Sequence, residues 1–149
     1  MAERVARIAL ALLVAQGLVV GLWAALSPRS FYDDFPGGGR AWVAPDGPYN
    51  EHLVRDIGDL NLALAAVSIV ALIALSRAVV LAAGVGWIVY QAPHLVYHLR
   101  HLDVYDTTDK VANVTALVVA LILPVLAVVA SRRLGAERPP QRLEQGSPR

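Results

Sequence analysis

Apolar positions in this chain fall into four long runs, separated by polar segments of very different length. The first run, residues 5–26, follows Arg4 and Arg7 and is almost uninterrupted. At about 1.5 Å per residue it reaches across a hydrocarbon core of about 30 Å, so it predicts a transmembrane helix. Basic residues ahead of it and Ala24, Ala25 and Ser27 behind it also suit a signal peptide. The run exceeds the roughly 7–15 apolar residues of such a segment, which favours an uncleaved span. A second span is predicted over residues 51–76, with Asn50 as N-cap. The third, over 78–102, follows a tight hairpin at Ser76 and Arg77, and Pro93 removes a backbone donor late in it. The fourth covers 109–131, where Asp106 and Asp109 resemble a capping box. Gly17 and Gly21 in the first span, and Gly84 and Gly86 in the third, allow a neighbouring helix to come close.

Residues 27–50 shift to Gly, Pro, Asp and aromatics and predict a long loop. Gly37 to Gly39 are no phosphate cradle, because no strand precedes them and no Lys-Ser/Thr follows. Phe31, Tyr32, Phe35, Trp42 and Tyr49 suit a membrane interface, and a loop carrying so many rings is expected to act as a cover. Residues 132–149 are rich in Pro, Arg and Glu and read as a disordered tail. The expected architecture is therefore all-α: a membrane domain over residues 1–131 forming a four-transmembrane-helix bundle, then the tail.

Composition agrees with that pattern. With 56% hydrophobic and 17% charged residues, and a mean hydropathy of +0.52, the chain is too apolar for an ordinary soluble fold of 149 residues. A net charge of +1 without a clustered basic face argues against nucleic acid as a partner. The absence of cysteine excludes disulfides, thiolate metal sites and thiol catalysis. Arg4, Arg7, Arg77, Arg132, Arg133, Arg138 and Arg142 fall on one side of a four-span arrangement, and most acids fall on the other. The positive-inside rule then places both termini in the cytoplasm, with loop 27–50 outside the cell membrane.

All four histidines lie at that outer end. Gln91, His94, His98 and His101 recur at spacings of three and four, which lines them along one helical face. His52, Arg55, Asp56 and Asp59 form a polar opening to the second span, and Asn113 stands near the start of the fourth. Glu51, Arg55 and Asp59 also suit an ordinary ion-pair ladder at a helix N-terminus. A polar ligand pocket is expected from His52, Arg55, Asp56, Asp59, Gln91 and Asn113.

A divalent metal such as zinc is the second candidate, with ligands drawn from His94, His98, His101, Asp59 and Asp109. Ligating atoms lie about 2.0–2.2 Å from such an ion, so histidines one turn apart can share it. His94 and His101, roughly 10 Å apart along the axis, cannot. Haem between His52 and a histidine of the third span is open to a helical bundle but has less to support it. No nucleophile motif or cofactor fingerprint points to catalytic residues. The same polar groups also suit a purely structural cluster at the outer end, with the apolar faces docked on a larger membrane complex or a second copy of the chain. The preferred reading is a non-enzymatic accessory or binding protein whose outer pocket takes a small ligand, a lipid headgroup or a divalent ion.

The stretches YNEHLVRDIGDLNLAL, PHLVYHLRHLD and DKVANVTALVVALILP, in that order within four spans, resemble a group of uncharacterised small membrane proteins of actinobacteria. That resemblance covers most of the chain short of the tail and implies fold and topology only. The span layout is more distantly similar to the DoxX-like four-helix membrane proteins, some of which are linked to quinone redox chemistry. It implies, as the alternative reading, a metal- or haem-dependent membrane oxidoreductase.

Overall fold

A computed structural model describes residues 1–134. Of the expected tail, residues 132–134 form a turn after the last helix; the remainder, with Arg138 and Arg142, lies outside the described residues. The described chain runs α1 (Ala2–Leu26), α2 (Pro28–Asp34), β1 (Pro36–Gly37), β2 (Arg40–Ala41), α3 (Glu51–Ala74), α4 (Arg77–Arg100) and α5 (Thr107–Ser131). Short 3-10 turns at Ala44–Asp46 and Leu102–Val104 precede α3 and α5. The helices α1, α3, α4 and α5 are each long and apolar enough to cross a membrane.

Capping residues set the boundaries. The Asn50 side chain accepts from Leu53 N–H, and Asp106 accepts from Asp109 N–H at 2.8 Å, which starts α5 two residues before the predicted position. The hairpin between α3 and α4 turns through Leu75, in the left-handed region at φ 44°, and Ser76, whose hydroxyl caps α4. Segment 27–50, expected as a loop, holds a helix of its own. Pro28 occupies its first position, where a fixed φ and a missing N–H carry no penalty, and Arg29–Asp33 (2.6 Å) and Ser30–Asp34 (3.0 Å) pair along it. The run Gly37–Gly39 then turns the β1–β2 hairpin with φ of 98°, 67° and 77°, a path only glycine follows without strain.

The four long helices form a ring in which α1 packs on α3 and α5, and α4 packs on α3 and α5. At the end holding the N-terminus, Ala6, Ala9, Leu10, Ala71, Val80, Ala83, Ala127 and Ala130 close a tight core. Closest approach is between α1 and α3. A Cβ on Gly17 would stand 2.9 Å from Asn61 O, and one on Gly58 only 2.5 Å from Ala25 N. Gly84 similarly admits Val128 and the Pro124 carbonyl of α5.

The burial pattern inverts that of a water-soluble bundle. Large aliphatic side chains such as Leu12, Val19, Ile73, Val89, Ile122 and Val129 face outward, while Asn61, Ser68, Gln91 and Asn113 are buried with small residues. Lipid tails are as apolar as leucine, so helices in a bilayer associate through close backbone packing and interhelical hydrogen bonds. Trp87 shows the second device: fully buried, it donates from Nε1 to Ser68 Oγ at 2.9 Å and ties α4 to α3.

Candidate ligand cavity

At the end opposite the alanine core, the helices part around a cavity of about 610 Å³. One stripe of α3 and the residue capping it, Asn50, Leu53, Val54, Ile57 and Asn61, forms a wall, because positions three or four apart share a helical face. Opposite stand Tyr90, Gln91, His94 and His98 of α4, with Asn113, Ala116, Leu117 and Ala120 of α5. Gln16 and Val20 complete the ring from α1. The roof is aromatic: Phe31 and Tyr32 from α2, Phe35 beyond it, and Trp42 after β2. The Phe31 and Phe35 rings lie tilted to each other at 4.7 Å, and Trp42 meets Phe35 edge-on at 6.2 Å.

The roof is fastened at several points. Asp109 at the start of α5 accepts from Trp42 Nε1 at 2.9 Å and pairs with Arg40 through the same oxygen. Tyr105, between α4 and α5, donates its hydroxyl to Trp42 O at 2.6 Å. Burial holds its phenol protonated, pushing the pKa up to about 12, and Asp46, Tyr97 and Asp109 act in the same direction. Tyr32 donates to Gly47 O at 2.6 Å, and Arg29 lies over the Tyr32 and Tyr49 rings at 5.6 and 5.0 Å. The side-chain hydrogen bond to Asp33 raises the pKa of Arg29, so its charge is secure. Trp23 of α1 donates to Ser30 Oγ at 3.2 Å.

Inside, polar groups form a connected band with two gaps. Asn61 Nδ2 donates to Ile57 O (2.9 Å) and Tyr90 Oη (3.3 Å), so the Tyr90 hydroxyl proton remains available. The Tyr90 ring stacks on His94 at 5.6 Å, and His94 meets His98 edge-on at 4.7 Å. Two buried atoms on cavity-lining residues, His98 Nδ1 and Asn113 Oδ1, have no hydrogen-bond partner among the described residues. Such an orphan costs on the order of 1–3 kcal/mol, and folded proteins nearly always satisfy it. Among the described residues, Asp46 is the single carboxylate on the lining, and no Lys or Arg lines it.

The structure divides the expected site residues. Gln91 and Asn113 line the cavity, as do His94 and His98. His52, Arg55, Asp56 and Asp59 do not: they occupy the opposite face of α3 from the Asn50–Asn61 stripe. There His52 lies 3.4 Å from Asp56, and Arg55 pairs with Glu51 at 2.9 Å and with the Ala25 carbonyl. His101 follows the last turn of α4; its ring stacks on Tyr97 at 4.1 Å and its Nδ1 lies 2.7 Å from Tyr97 O. The expected metal set is thereby broken up. Asp109 is committed to the roof, Asp59 faces outward and His101 is turned aside, and among the described residues no three His, Asp or Glu side chains are placed to hold a metal ion. His52, with 84% of its side chain exposed, stands away from the histidines of α4, which removes the arrangement expected for haem.

Tyr90, Asn61, Gln16, Asp46 and Tyr105 were not anticipated as site residues. Tyr90 stands four residues before His94, and Asn61 continues the Asn50–Leu53–Val54–Ile57 spacing, so both were open to a stricter reading of helical faces. Asp46 closes one short 3-10 turn and Tyr105 follows the other, segments too short for spacing to carry information about direction. No known protein family matches this chain, and neither any curated protein nor any solved structure matches it.

Proposed function

We propose that this chain is a four-span protein of the cell membrane that binds a small ligand, without transforming it, in the roofed cavity at its outer end. The observation that carries this reading is the pairing of an apolar, aromatic-roofed cavity with two buried polar atoms, His98 Nδ1 and Asn113 Oδ1, that lack partners. Ligand sites have this composition, mostly apolar with a few polar groups that fix orientation. Topology is assigned from charge. Arg4, Arg7, Arg77, Arg132 and Arg133 cluster at the alanine-core end, so that end and both termini are cytoplasmic and the roofed cavity lies at the outer end.

Of the three ligand classes open to such a pocket, the geometry favours the small organic molecule. Among the described residues, a divalent ion would find one carboxylate on the wall and no three ligands placed together, and an anionic lipid headgroup would find no Lys or Arg. The test is mass spectrometry of small molecules that co-purify with protein extracted in native-membrane discs. A compound enriched with the wild type and with His52→Gln, but lost from Asn113→Leu, supports the reading. Only bulk lipid, in equal amounts from all three, overturns it.

A further inference from the structure

Three properties of the cavity specify its occupant and its route of entry, given the reading above that it is a ligand site. We propose that it takes an uncharged lipophile bearing a hydroxyl, drawn sideways from the surrounding leaflet between α3 and α4.

The first property is charge. Among the described residues, Asp46 is the one carboxylate on the lining, with no Lys or Arg to balance an anion. A fatty acid or phosphate head would enter desolvated, unpaired and facing like charge. The second is hydrogen bonding. Asn113 Oδ1 is purely an acceptor and requires a donor, whereas the Tyr90 hydroxyl proton requires an acceptor. A ligand hydroxyl is able to play either role, donating to Asn113 or accepting from Tyr90. A ketone or ester carbonyl supplies only the acceptor and leaves Asn113 orphaned. The depth agrees, because Asn113 is 3% exposed and Gln91 2%, so the polar end is held well inside the wall. The third is size: 610 Å³ at about 30 Å³ per water-sized group admits on the order of 20 non-hydrogen atoms, one chain or a compact ring system.

Exposure along α3 gives the route. Leu53 and Ile57 line the cavity, yet they are 58% and 39% exposed. On α5 the lining residue Val119 is 50% exposed, so the side wall is open to lipid, with two of its three large exposed aliphatics on α3. Deeper along the same side of α3, Leu64 meets Gly86 and Ser68 bonds Trp87, closing α3 against α4. The two helices therefore part towards the outer end and leave a slot edged by aliphatic side chains. On a membrane-crossing helix that surface meets lipid. The water-facing end is covered and fastened through Asp109 and Tyr105. A lipophile crossing the slot moves from one apolar environment to another, and its hydroxyl is dehydrated only once partners are at hand.

Four probes of equal chain length test the class: myristyl alcohol, myristate, myristylamine and tetradecane. Each is pre-dissolved in lipid nanodiscs holding the full chain, and binding is followed by tryptophan fluorescence, since Trp42 forms part of the roof. The expected result is at least about tenfold tighter binding of the alcohol than of the other three. Asn113→Leu, which is nearly isosteric, should bring the alcohol down to the level of tetradecane. His98→Phe, which keeps a ring beside Tyr105, should weaken the alcohol independently. Ile57→Phe, which adds bulk at the slot without adding a tryptophan, should slow uptake severalfold, and Asp56→Asn, on the opposite face of α3, should leave uptake unchanged. Tightest binding of the acid, the amine or the alkane overturns the ligand class while the cavity stands as a site. Uptake at the wild-type rate in Ile57→Phe overturns lateral entry. If no probe binds and no co-purifying molecule depends on Asn113, the site itself is refuted.

Discussion

Replacing Gly58 by alanine tests the packing that positions the cavity wall. An ideal Cβ there would stand 2.5 Å from the Ala25 nitrogen and 3.0 Å from both Ala25 Cα and Cβ. Non-bonded heavy atoms prefer roughly 3.5 Å or more, so α1 and α3 must part by about 1 Å at this level. The obstacle is largely backbone, and no rotamer change relieves it. Separation is transmitted to the Gly17–Asn61 and Gly21–Leu62 contacts, where a gap of that size forfeits a quarter to a half of each dispersion well. The expected destabilisation is about 1–3 kcal/mol, the usual cost of overpacking, even though alanine is the better helix former by about 1 kcal/mol. Gly86→Ala supplies the control. Its Cβ meets only the end of the Leu64 side chain at 3.3 Å, which can yield, so that variant should be neutral or slightly stabilised. Thermal unfolding of both proteins in one lipid mimetic, read by loss of helical circular dichroism, measures the difference. Equal midpoints would refute the claim that α1 and α3 are held at backbone contact.

Asp109→Ala removes the acceptor of both Trp42 and Arg40, so hydrogen exchange of residues 36–49 should quicken while the cores of α1 and α3 stay protected. Asp109→Asn, which keeps an oxygen for Trp42, should fall between this variant and the wild type. Tyr105, with its pKa raised to about 12, should be the last phenol to ionise when phenolate absorbance is followed in alkali. A raised pKa means the protonated form is favoured by folding. Its roof contact is therefore at full strength below about pH 10, the ordinary phenol value, and is lost as pH climbs through about 12; Tyr105→Phe should abolish that late step. Trp87→Phe deletes the bond to Ser68 and leaves a void in a fully buried site, with an expected loss on the order of 2 kcal/mol in thermal or denaturant unfolding. Asp56→Asn, on the exposed face of α3, should change neither stability nor the co-purifying molecule.

Much of this architecture was legible from residue order. Runs of apolar residues long enough to cross a bilayer define the four long helices, because length and hydropathy are properties of a segment by itself. Asn50, Ser76 and Asp106 mark helix starts for the same reason: a cap acts on backbone groups within three residues. The α-helix inside segment 27–50 was missed although Pro28 signals it, since aromatic and glycine content dominated that stretch.

Direction around each helix was decided only in the tertiary structure. His52 and the charged residues Arg55, Asp56 and Asp59 of α3 occupy one face and its cavity residues the other, yet by composition the charged face was the better site candidate. What separates them is the position of α1, which the contacts at Gly17, Gly21 and Gly58 bring against one particular side of α3. His101 was counted with His94 and His98 because periodicity assumes an unbroken helix, and α4 ends at Arg100. Asp109, read as a metal ligand, became the anchor of the roof through Arg40 and Trp42, nearly seventy positions earlier in the chain. The chain alone therefore settles what is local: helix length, caps and overall apolarity. Which polar groups meet depends on rotation and contact between helices, and these arise only when the backbones pack.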